Sequence, residues 1–240
     1  MRSFEDIQSS ISFQRAFKAY LKKYVTPHKQ QLIRAVLSKR TRKFTVVLED
    51  IYKPHNASAV LRTCDCFGIQ DVHVIEKSKE YHINPYVTRG AAQWITLHKY
   101  FNAEGSSVQD CFGTLKKSGY KIFATSPEAG SIPVQDLDAS QKIALVFGNE
   151  HEGVSEEVKS SCDGMVHIPM HGFSESFNIS VAAAIFLYEL TKGKSFESDP
   201  EYFLSKEEKD EIEYHWFRDV VKNVDAHEAK FIKIWGKDQV

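Results

Sequence analysis

The stretch of sequence that decides the fold is 142–189, which reads KIALVFGNEHEGVSEEVKSSCDGMVHIPMHGFSESFNISVAAAIFLYE. It contains two short, mainly apolar runs, at 143–147 and 165–169, and each is followed by a loop rich in glycine, asparagine, glutamate or serine. Short apolar runs between turn residues are typical of strands buried on both faces of a parallel sheet. At 177–188 apolar residues recur at helical spacing, so the stretch predicts strand, loop, strand, loop and helix.

The two loops are expected to lie together at one edge of the sheet. Ligands of open parallel sheets bind outside the carboxyl ends of the strands. The second loop also leads into a helix, whose N-terminus offers free N–H donors. Small residues at 180 and 182–184 leave room there for a ligand or for another backbone. This part of the chain therefore predicts a ligand site built from both loops and the start of the helix.

The rest of the central region alternates strands with helices, which predicts an α/β fold with a parallel sheet. Asn56 is interpreted as the N-cap of a helix that continues through Phe67, because an asparagine side chain can accept from the first free N–H groups. Residues 81–93 read as a loop, either one that closes over a substrate or an ordinary connection. The other predicted strands are 44–49, 71–75, 94–98 and 120–125, and a further helix is predicted at 106–118.

Helical segments flank this centre on both sides. Residues 5–39 have helical periodicity that breaks at Thr26-Pro27, since the residue before a proline avoids the α region, and they predict two short helices. Residues 205–235 predict two more, which pack on the core or on a second subunit. The apolar positions of these last helices are Ile212, Trp216, Phe217, Val220, Val221, Phe231 and Trp235.

The bulk composition is that of a soluble globular protein, with 240 residues, 42% hydrophobic and 26% charged. No apolar run approaches the ~18 residues of a membrane span. The N-terminus lacks the apolar core of a secretory signal, so we expect a cytoplasmic protein without a membrane segment. The cysteines fit reduced thiols better than a disulfide framework, and their spacing predicts no metal site. They are Cys64, Cys66, Cys111 and Cys162.

The formal net charge of −1 argues weakly against nucleic-acid binding, but the charge is unevenly distributed. Residues 1–43 contain eleven lysines and arginines against only Glu5 and Asp6, while the tail after Glu197 is mainly acidic. Clustered basic charge is the usual electrostatic footprint of a nucleic-acid-binding surface. A solvated helical face explains the same charges equally well, so the charge pattern alone leaves both interpretations open.

Several common chemistries lack their sequence support. No G-x-G-x-x-G dinucleotide fingerprint occurs in the chain. The segment 192–195 ends like a phosphate loop, but Tyr188 stands where that motif needs glycine. His227-Glu228 has Phe231 where a zinc protease would need its second histidine. Hydride transfer, nucleotide hydrolysis and metalloprotease chemistry are therefore not predicted.

Three motifs resemble, in the same order, those of SPOUT-class RNA 2'-O-ribose methyltransferases of the SpoU type. The first is KPHNASAVLRTCD at 53–65, and the second is FGNEHEGVS at 147–155. The third begins with IPM at 168–170 and ends with SFNISVA at 176–182. The resemblance covers about 45–194, and three separate motifs in this order are a specific signal.

The resemblance implies a fold and an assembly that periodicity cannot reveal. Members of the class have a parallel α/β sheet with a deep C-terminal trefoil knot, here flanked by N- and C-terminal helices. We therefore expect a basic helical arm at 1–43, a methyltransferase domain at 44–194 and a C-terminal helical extension at 195–240. The class is dimeric, which implies a homodimer with its active site near the subunit interface.

The implied activity is transfer of a methyl group from S-adenosylmethionine to a ribose 2'-hydroxyl in RNA, without a metal. The branch that these motifs resemble most methylates a guanosine in the D-loop of tRNA. An rRNA 2'-O-methyltransferase on the same scaffold is the alternative within this class. A non-catalytic, knotted RNA-binding paralogue is a second alternative, against which the retained polar motif residues argue.

The resemblance also carries catalytic roles onto side chains of all three motifs. The arginine is implied either as the base that activates the hydroxyl or as a group that only orients the nucleotide. A base role sits awkwardly with the usual arginine pKa, above ~12. Without the resemblance, Asn56 would be only a helix cap and Arg62 only a surface cation. The implied catalytic residues are Arg62, Asn56, Glu150, Ser176 and Asn178.

Two further sets of residues complete the expected site. Backbone groups of the strand-end loops would meet the edges of the cofactor, and Ile168 with Phe177 would bury its adenine ring. The implied cofactor contacts are Thr125, Gly148, Ile168, Met170 and Phe177. The expected RNA contacts are Lys39, Arg40, Arg42, Lys43 and His55.

Overall fold

The computed structural model describes residues 10–51, 53–76, 90, 92–102, 105–192 and 201–235. The chain divides into two compact units. The sheet unit is formed by 40–203, and the helical unit is formed by 1–39 together with 204–240. None of the helices in the described ranges is long and apolar enough to cross a membrane.

The sheet unit contains a seven-stranded sheet in which all neighbouring strands pair in parallel. Its strands are β1 Phe44–Glu49, β2 Asp71–Glu76, β3 Thr96–Phe101, β4 Lys121–Thr125, β5 Ile132–Pro133, β6 Ile143–Phe147 and β7 Gly164–His167. Their order across the sheet is β3-β2-β1-β6-β4-β7-β5, so the chain crosses over the sheet repeatedly.

The α-helices of the described ranges connect these strands or belong to the helical unit. Those of the sheet unit are α3 Pro54–Cys66, α4 Ser107–Lys117, α5 Glu156–Ser161 and α6 Ile179–Thr191. Those of the helical unit are α1 Ile11–Leu21, α2 Pro27–Leu37, α7 Lys206–Val220 and α8 Val224–Trp235.

The central strands β1 and β6 are buried along their whole length, which explains their continuous apolar sequence. Alternate side chains of these strands enter two different cores. Leu48 and Leu145 belong to one core, together with residues of α3 and α6. Val47 and Val146 belong to the other, together with residues of α4. The sheet is therefore the middle layer of a three-layer α/β unit.

The register of the sheet brings the carboxyl ends of four neighbouring strands together. Leu48 of β1 pairs with Phe147 of β6, and Ala124 of β4 pairs with Val146 of β6. On the far side of β4, Thr125 pairs with Val166 of β7. The loops that follow β6 and β7, and the residues after β1 and β4, therefore start at the same edge.

Most predicted elements are confirmed, with shifts of a few residues at their ends, and two differ. The helix α3 begins at Pro54 with Lys53 in the N-cap position, so the predicted capping role of Asn56 is wrong. A proline suits the first helical turn, because its fixed φ and missing N–H cost nothing there. The strand predicted at 94–98 starts only at Thr96, after a single 3₁₀ turn. The short strand β5 and the short helix α5 were not predicted, and the loop predicted at 81–93 falls largely outside the described residues.

The helical unit packs its N-terminal and C-terminal segments against each other. The rings of Phe13 and Phe17 lie 5.6 and 5.3 Å from that of Phe231. The ammonium of Lys18 forms ion pairs with Asp210 at 2.9 Å and with Glu213 at 2.8 Å. The chain already buries most apolar positions of the last two helices, so a second subunit is not needed to cover them. The buried residues are Ile212, Trp216, Phe217, Val221 and Phe231.

Candidate functional site

A cavity of about 620 Å³ opens at the carboxyl edge of the sheet, beside the ends of β4, β6 and β7 and the start of α6. Its walls contain every residue predicted to contact the cofactor, which are Thr125, Gly148, Ile168, Met170 and Phe177. They also contain four of the five predicted catalytic residues, which are Asn56, Glu150, Ser176 and Asn178. The three sequence motifs thus meet at one place, although they are far apart along the chain.

The loop at 148–155 forms a tight turn on one side of this cavity. Backbone N–H groups and carbonyls of Asn149 and Gly153 bond to each other at 3.1 Å in both directions. The Asn149 side chain accepts from the backbone N–H groups of His151 and Glu152, at 2.9 and 2.7 Å. Gly153 has a φ of 70°, which glycine adopts without strain. Few conformations satisfy all these bonds, so the loop is held in one shape.

Gly148 is required by the closeness of this turn. A Cβ atom at Gly148 would lie 2.0 Å from the carbonyl carbon of Gly153 and 2.2 Å from the nitrogen of Val154. These distances are far below any van der Waals contact between such atoms. Only glycine therefore allows β6 to end and the loop to fold back at this position.

Side chains of the three motifs are joined by hydrogen bonds. The Nδ2 group of Asn56 donates to Oε1 of Glu150. Asn178 donates from its Nδ2 to Oδ1 of Asn56 at 3.2 Å. Asn178 is also the N-cap of α6, where its Oδ1 accepts from the backbone N–H of Ser180 at 2.9 Å. Asn178 thus caps α6, whereas Asn56 lies inside the first turn of α3 and connects the first motif to the other two.

Glu150 has one oxygen with unused hydrogen-bonding capacity. Its Oε2 atom is buried and has no hydrogen-bond partner in the described part of the chain. An unpaired buried carboxylate oxygen is costly, so a donor from outside the described residues is expected at this position. Glu150, which lines the cavity, therefore keeps one buried acceptor atom without a donor in the described part of the chain.

Apolar side chains form the floor of the cavity. Phe147, Ile168, Ile179 and Phe186 line it, and Phe177 lines it while its side chain is 43% exposed. All residues from 171 to 178 are exposed, including Ser176. The cavity thus combines an apolar floor with an open loop carrying polar groups on one side.

Arg62 is not among the residues that line this cavity. It is exposed on α3 and, among the described residues, forms no hydrogen bond or ion pair. It lines a separate surface groove of about 840 Å³ between α3 and α6, which we call the α3/α6 groove. His55 lies in the same groove, as do Val181 and Tyr188 of α6. The predicted catalytic set is therefore brought together except for its arginine.

The predicted RNA contacts occupy very different environments. Lys39 and His55 are exposed, whereas Lys43 is half-buried. The guanidinium of Arg42 pairs with Asp71 at 2.7 Å. Arg40 is 1% exposed, so its predicted role as an RNA contact does not fit this position.

Arg40 belongs to the framework of the sheet unit instead. Its Nη1 donates to the carbonyl of Ile69 at 3.1 Å, and its Nη2 is ion-paired with Asp65. Burial lowers the pKa of this guanidinium, and the carboxylate of Asp65 opposes the shift. The sequence showed a cluster of positive charges but not this partner, which lies 25 residues away along the chain.

Several residues that line the cavity lie outside the predicted set, and two of them, Asn149 and His167, form hydrogen bonds. Asn149 shapes the 148–155 loop through the bonds described above, and the glycine beside it was the only hint of a tight turn. His167 lines the cavity, and its Nδ1 lies 2.8 Å from the hydroxyl of Ser131. That hydroxyl donates to the carbonyl of Glu128 at 2.7 Å, so it accepts from Nδ1–H of the imidazole. No sequence pattern links His167 with Ser131.

Proteins named as tRNA methyltransferases are similar to this chain over most of its length, in agreement with the three motifs. The tRNA (guanosine(18)-2'-O)-methyltransferase of Borreliella burgdorferi is 44% identical over 203 residues, which are 85% of this chain and 90% of that protein. The protein of the same name from Aquifex aeolicus is 33% identical over 195 residues, or 79% of this chain and 89% of that protein.

A solved structure has the same fold, and a family model matches most of the sheet unit. The A. aeolicus TrmH/SpoU tRNA modifying enzyme superimposes with a TM-score of 0.69 and 31% identity, over 86% of this chain and 100% of that chain. The model of the SpoU rRNA methylase family matches residues 43–188, which is more than half of the 240 residues. With its three motifs meeting in one cavity, the chain belongs to the SpoU rRNA methylase family.

Proposed function

We propose that this enzyme transfers a methyl group from S-adenosylmethionine to the 2'-hydroxyl of a guanosine ribose in the D-loop of tRNA. The observation that carries the proposal is the cavity in which Asn56, Glu150 and Asn178 from three separate motifs are hydrogen-bonded together. The name of the Borreliella relative describes this same reaction at a tRNA guanosine.

The choice of tRNA rests on the similarity to the Borreliella and Aquifex proteins. The family description names rRNA, so an rRNA substrate is the second candidate. The Borreliella protein, which this chain matches over 90% of that protein's length, is named for tRNA. A non-catalytic RNA-binding role is disfavoured, because such a protein would have no need for the bonded polar residues of the cavity.

The cavity fits a nucleoside cofactor such as S-adenosylmethionine. Its volume of about 620 Å³ lies within the ~300–1,000 Å³ of typical small-molecule sites. The apolar floor suits an adenine ring, and the backbone edges of two loops suit polar groups. A related methyltransferase of the same type, AviRb from Streptomyces viridochromogenes, has been solved in complex with AdoMet. We propose that the cofactor is held by Thr125, Gly148, Ile168, Met170 and Phe177.

When bound, S-adenosylmethionine supplies a methyl group activated by a sulfonium. The protein must place the ribose hydroxyl, help it lose its proton and exclude competing water. The bonded set of Asn56, Glu150 and Asn178 presents fixed donors and acceptors at the cavity wall, which suits orientation of a ribose. Ser176, exposed on the adjoining loop, is proposed to contact a phosphate or to support Arg62.

Arg62 is proposed to act on the nucleotide from the edge of the site. Its exposed guanidinium has no ion-pair partner in the described ranges, so it is available to a phosphate oxygen of the RNA. A guanidinium can bind a phosphate with two parallel hydrogen bonds. In that position it would orient the ribose and stabilise charge that develops as the hydroxyl loses its proton.

The proposed domain bounds are those that the resemblance implies, and they differ by a few residues from the bounds of the two compact units. Residues 44–194 are proposed to form the methyltransferase domain, with the deep trefoil knot of the class at its C-terminal end. The basic residues of the first helices, together with Lys39, Lys43 and His55, are proposed to bind RNA phosphates. The segments 1–43 and 195–240 are then the arm and the extension, although their helices share one compact unit.

A homodimer is proposed on a different surface from the one that the sequence suggested. The last two helices bury most of their apolar residues within the chain, so the described residues there leave only isolated apolar positions such as Ile234 exposed. The α3/α6 groove instead exposes Val181 at 45% and Tyr188 at 58%, next to Arg62. A second copy that covered this groove would place Arg62 at the interface, where the class has its active site.

The dimer is expected to depend on Tyr188. Light scattering at micromolar concentration should give the mass of a dimer for the wild type. Tyr188→Glu should shift this mass towards that of a monomer, because it buries an unpaired charge in the interface. Tyr24→Glu is the matched control, since Tyr24 is a 49% exposed tyrosine of the helical unit. A monomeric wild type would show the proposal to be wrong.

The function is tested with the purified 240-residue chain, labelled S-adenosylmethionine, and unmodified tRNA or rRNA as acceptor. Label is expected in 2'-O-methylguanosine from the tRNA D-loop, and a chelator should not reduce the rate. Label found only in rRNA would support the second candidate. If neither RNA were labelled and the cofactor gave no thermal stabilisation at saturation, the proposed activity would be rejected.

A further inference from the structure

Glu49 is a buried carboxylate at the end of β1 that no motif assignment includes. Its side chain is 2% exposed. Oε2 accepts from the backbone N–H of Ser155 at 2.9 Å, and Oε1 accepts from the Ser155 hydroxyl at 2.5 Å. The carboxylate does not line the cavity and so has no direct route to a bound substrate.

Ser155 is the far end of the loop that carries Glu150. The loop leaves the sheet at Phe147, the last residue of β6, and Ser155 then caps α5 by accepting from the N–H of Val158 at 3.3 Å. Between these ends the loop is closed on itself by the bonds of Asn149 with Gly153. A loop closed by its own hydrogen bonds is expected to move as a rigid unit. Its position then depends on the contacts that hold its two ends, at Phe147 and Ser155.

The two fastenings lie on adjacent strands. Phe147 is held by the register of β6 with β1, where it pairs with Leu48. Ser155 is held by Glu49, the residue that follows Leu48 in β1. N–H and O–H groups donate stronger hydrogen bonds to a carboxylate than to a neutral acceptor. Each oxygen of the buried Glu49 carboxylate accepts one such bond from Ser155.

We propose that Glu49 is a positioning residue, which acts on catalysis by fixing the 148–155 loop and thereby Glu150. Glu150 accepts from Asn56, and Asn56 accepts from Asn178, so a shift of the loop would disturb the whole bonded set. A misplacement of about 1 Å at a reacting centre can cost ~10²-fold in rate. This inference rests on the proposed methyl transfer, since it concerns the placement of that site.

Glu49→Gln is the main test. The amide keeps the size of the side chain but has one acceptor in place of two and no charge, so the fastening of Ser155 is weakened. We expect kcat for tRNA methylation to fall by roughly 10-fold or more, as a small displacement of the loop predicts. Ser155→Ala should lower kcat similarly, whereas Ser155→Thr, which keeps the hydroxyl, should restore most of it.

A double-mutant cycle separates positioning from a general loss of stability. If Glu49 acts through Glu150, then Glu49→Gln should have little further effect on kcat in a Glu150→Ala background. Glu228→Gln is the matched control, because Glu228 is another buried carboxylate. Both of its oxygens accept hydrogen bonds, from the guanidinium of Arg218 at 2.6 and 2.9 Å. It should lower the melting temperature but leave kcat unchanged at a temperature where the protein is folded.

The outcomes are distinguishable. An active wild type with normal kcat in Glu49→Gln, or multiplicative effects of Glu49→Gln and Glu150→Ala, would overturn the positioning role and leave the proposed function intact. A wild type without activity on any RNA would instead reject the proposed function. A lowered melting temperature of Glu49→Gln with unchanged kcat would show that Glu49 only stabilises the fold.

Discussion

Replacing Arg62 with alanine is expected to lower kcat and kcat/KM together by about 10²–10⁴-fold, the range for loss of a group that assists proton transfer. The affinity for S-adenosylmethionine should remain nearly unchanged, because Arg62 lies outside the cavity that fits the cofactor. A loss confined to the transition state lowers both kinetic constants equally, whereas a loss of ground-state binding raises KM alone. Methylation measured at a series of tRNA concentrations gives kcat and kcat/KM. A separate titration gives the affinity for S-adenosylmethionine.

Arg62→Lys distinguishes the two possible roles of the guanidinium. Lysine keeps the positive charge but lacks the planar fork that binds a phosphate in two places. If Arg62 only orients the nucleotide, the rate of this variant should not recover as the pH is raised. Recovery at high pH would favour a base role, because a lysine loses its proton more readily than an arginine.

Lys121→Ala is the control for the Arg62 variants. Lys121 begins β4, at the amino edge of the sheet, and its side chain is 56% exposed. It should leave the kinetic constants unchanged. Near-normal turnover of Arg62→Ala would instead return Arg62 to the role of a surface cation.

The strands at the centre of the sheet are predictable because burial on both faces leaves a local trace. Every residue of β1 and β6 is buried, so their sequences contain no alternation and stop abruptly at polar residues. The predicted bounds at 44–49 and 143–147 agree with the structure for this reason. The edge strand β5 has only two residues, Ile132 and Pro133, and such a short segment has no periodicity to detect.

The start of α3 shows how two local rules compete. Asn56 has the chemistry of an N-cap, but Pro54 is also a strong helix-start signal and determines where the helix begins. Once Asn56 lies inside the first turn, its side chain is free to reach Glu150, 94 residues further along the chain. The site depends on that long-range bond, which no local pattern in a single sequence can indicate.

Charged and apolar positions were harder to interpret because their partners are distant in sequence. The sequence places Arg40 in the basic arm, but Asp65 and the carbonyl of Ile69 hold it in the core. The apolar residues of the last two helices were compatible with a second subunit, whereas Phe231 packs on Phe13 and Phe17 from the other end of the chain. The composition gives the number of charged and apolar residues but does not show which of them contact each other in the fold.

Gly148→Ala is expected to have the second large effect, through the shape of the cavity. The added methyl group would lie 2.0 Å from both the carbonyl carbon and the carbonyl oxygen of Gly153. The atoms in the way are backbone, which cannot move aside as a flexible side chain would. The 148–155 loop must therefore open or shift by about an ångström or more, and a displacement of that size can cost ~10²-fold in rate.

The predicted result is weaker cofactor binding together with a fall in kcat/KM of roughly 100-fold or more. Both effects are expected because the loop contributes Gly148 to the cofactor cavity and Glu150 to the bonded polar set. Calorimetric titration with S-adenosylmethionine measures the first effect, and tRNA methylation measures the second. Melting temperature should fall as well, since the strained loop joins β6 to α5.

Gly113→Ala is the matched control for this substitution. Gly113 lies within α4, and a Cβ atom there would meet nothing within 4 Å. Alanine is favoured over glycine in a helix by about 0.5–1 kcal/mol, so this variant should be slightly more stable and fully active. If Gly148→Ala bound the cofactor as tightly as Gly113→Ala, the close turn at Gly148 would not be needed for the cavity. The overlap with the backbone of Gly153 is too severe to be relieved without movement of the loop. Unchanged cofactor affinity would therefore show that the loop does not contact the cofactor, and its assignment to the cofactor site would be abandoned.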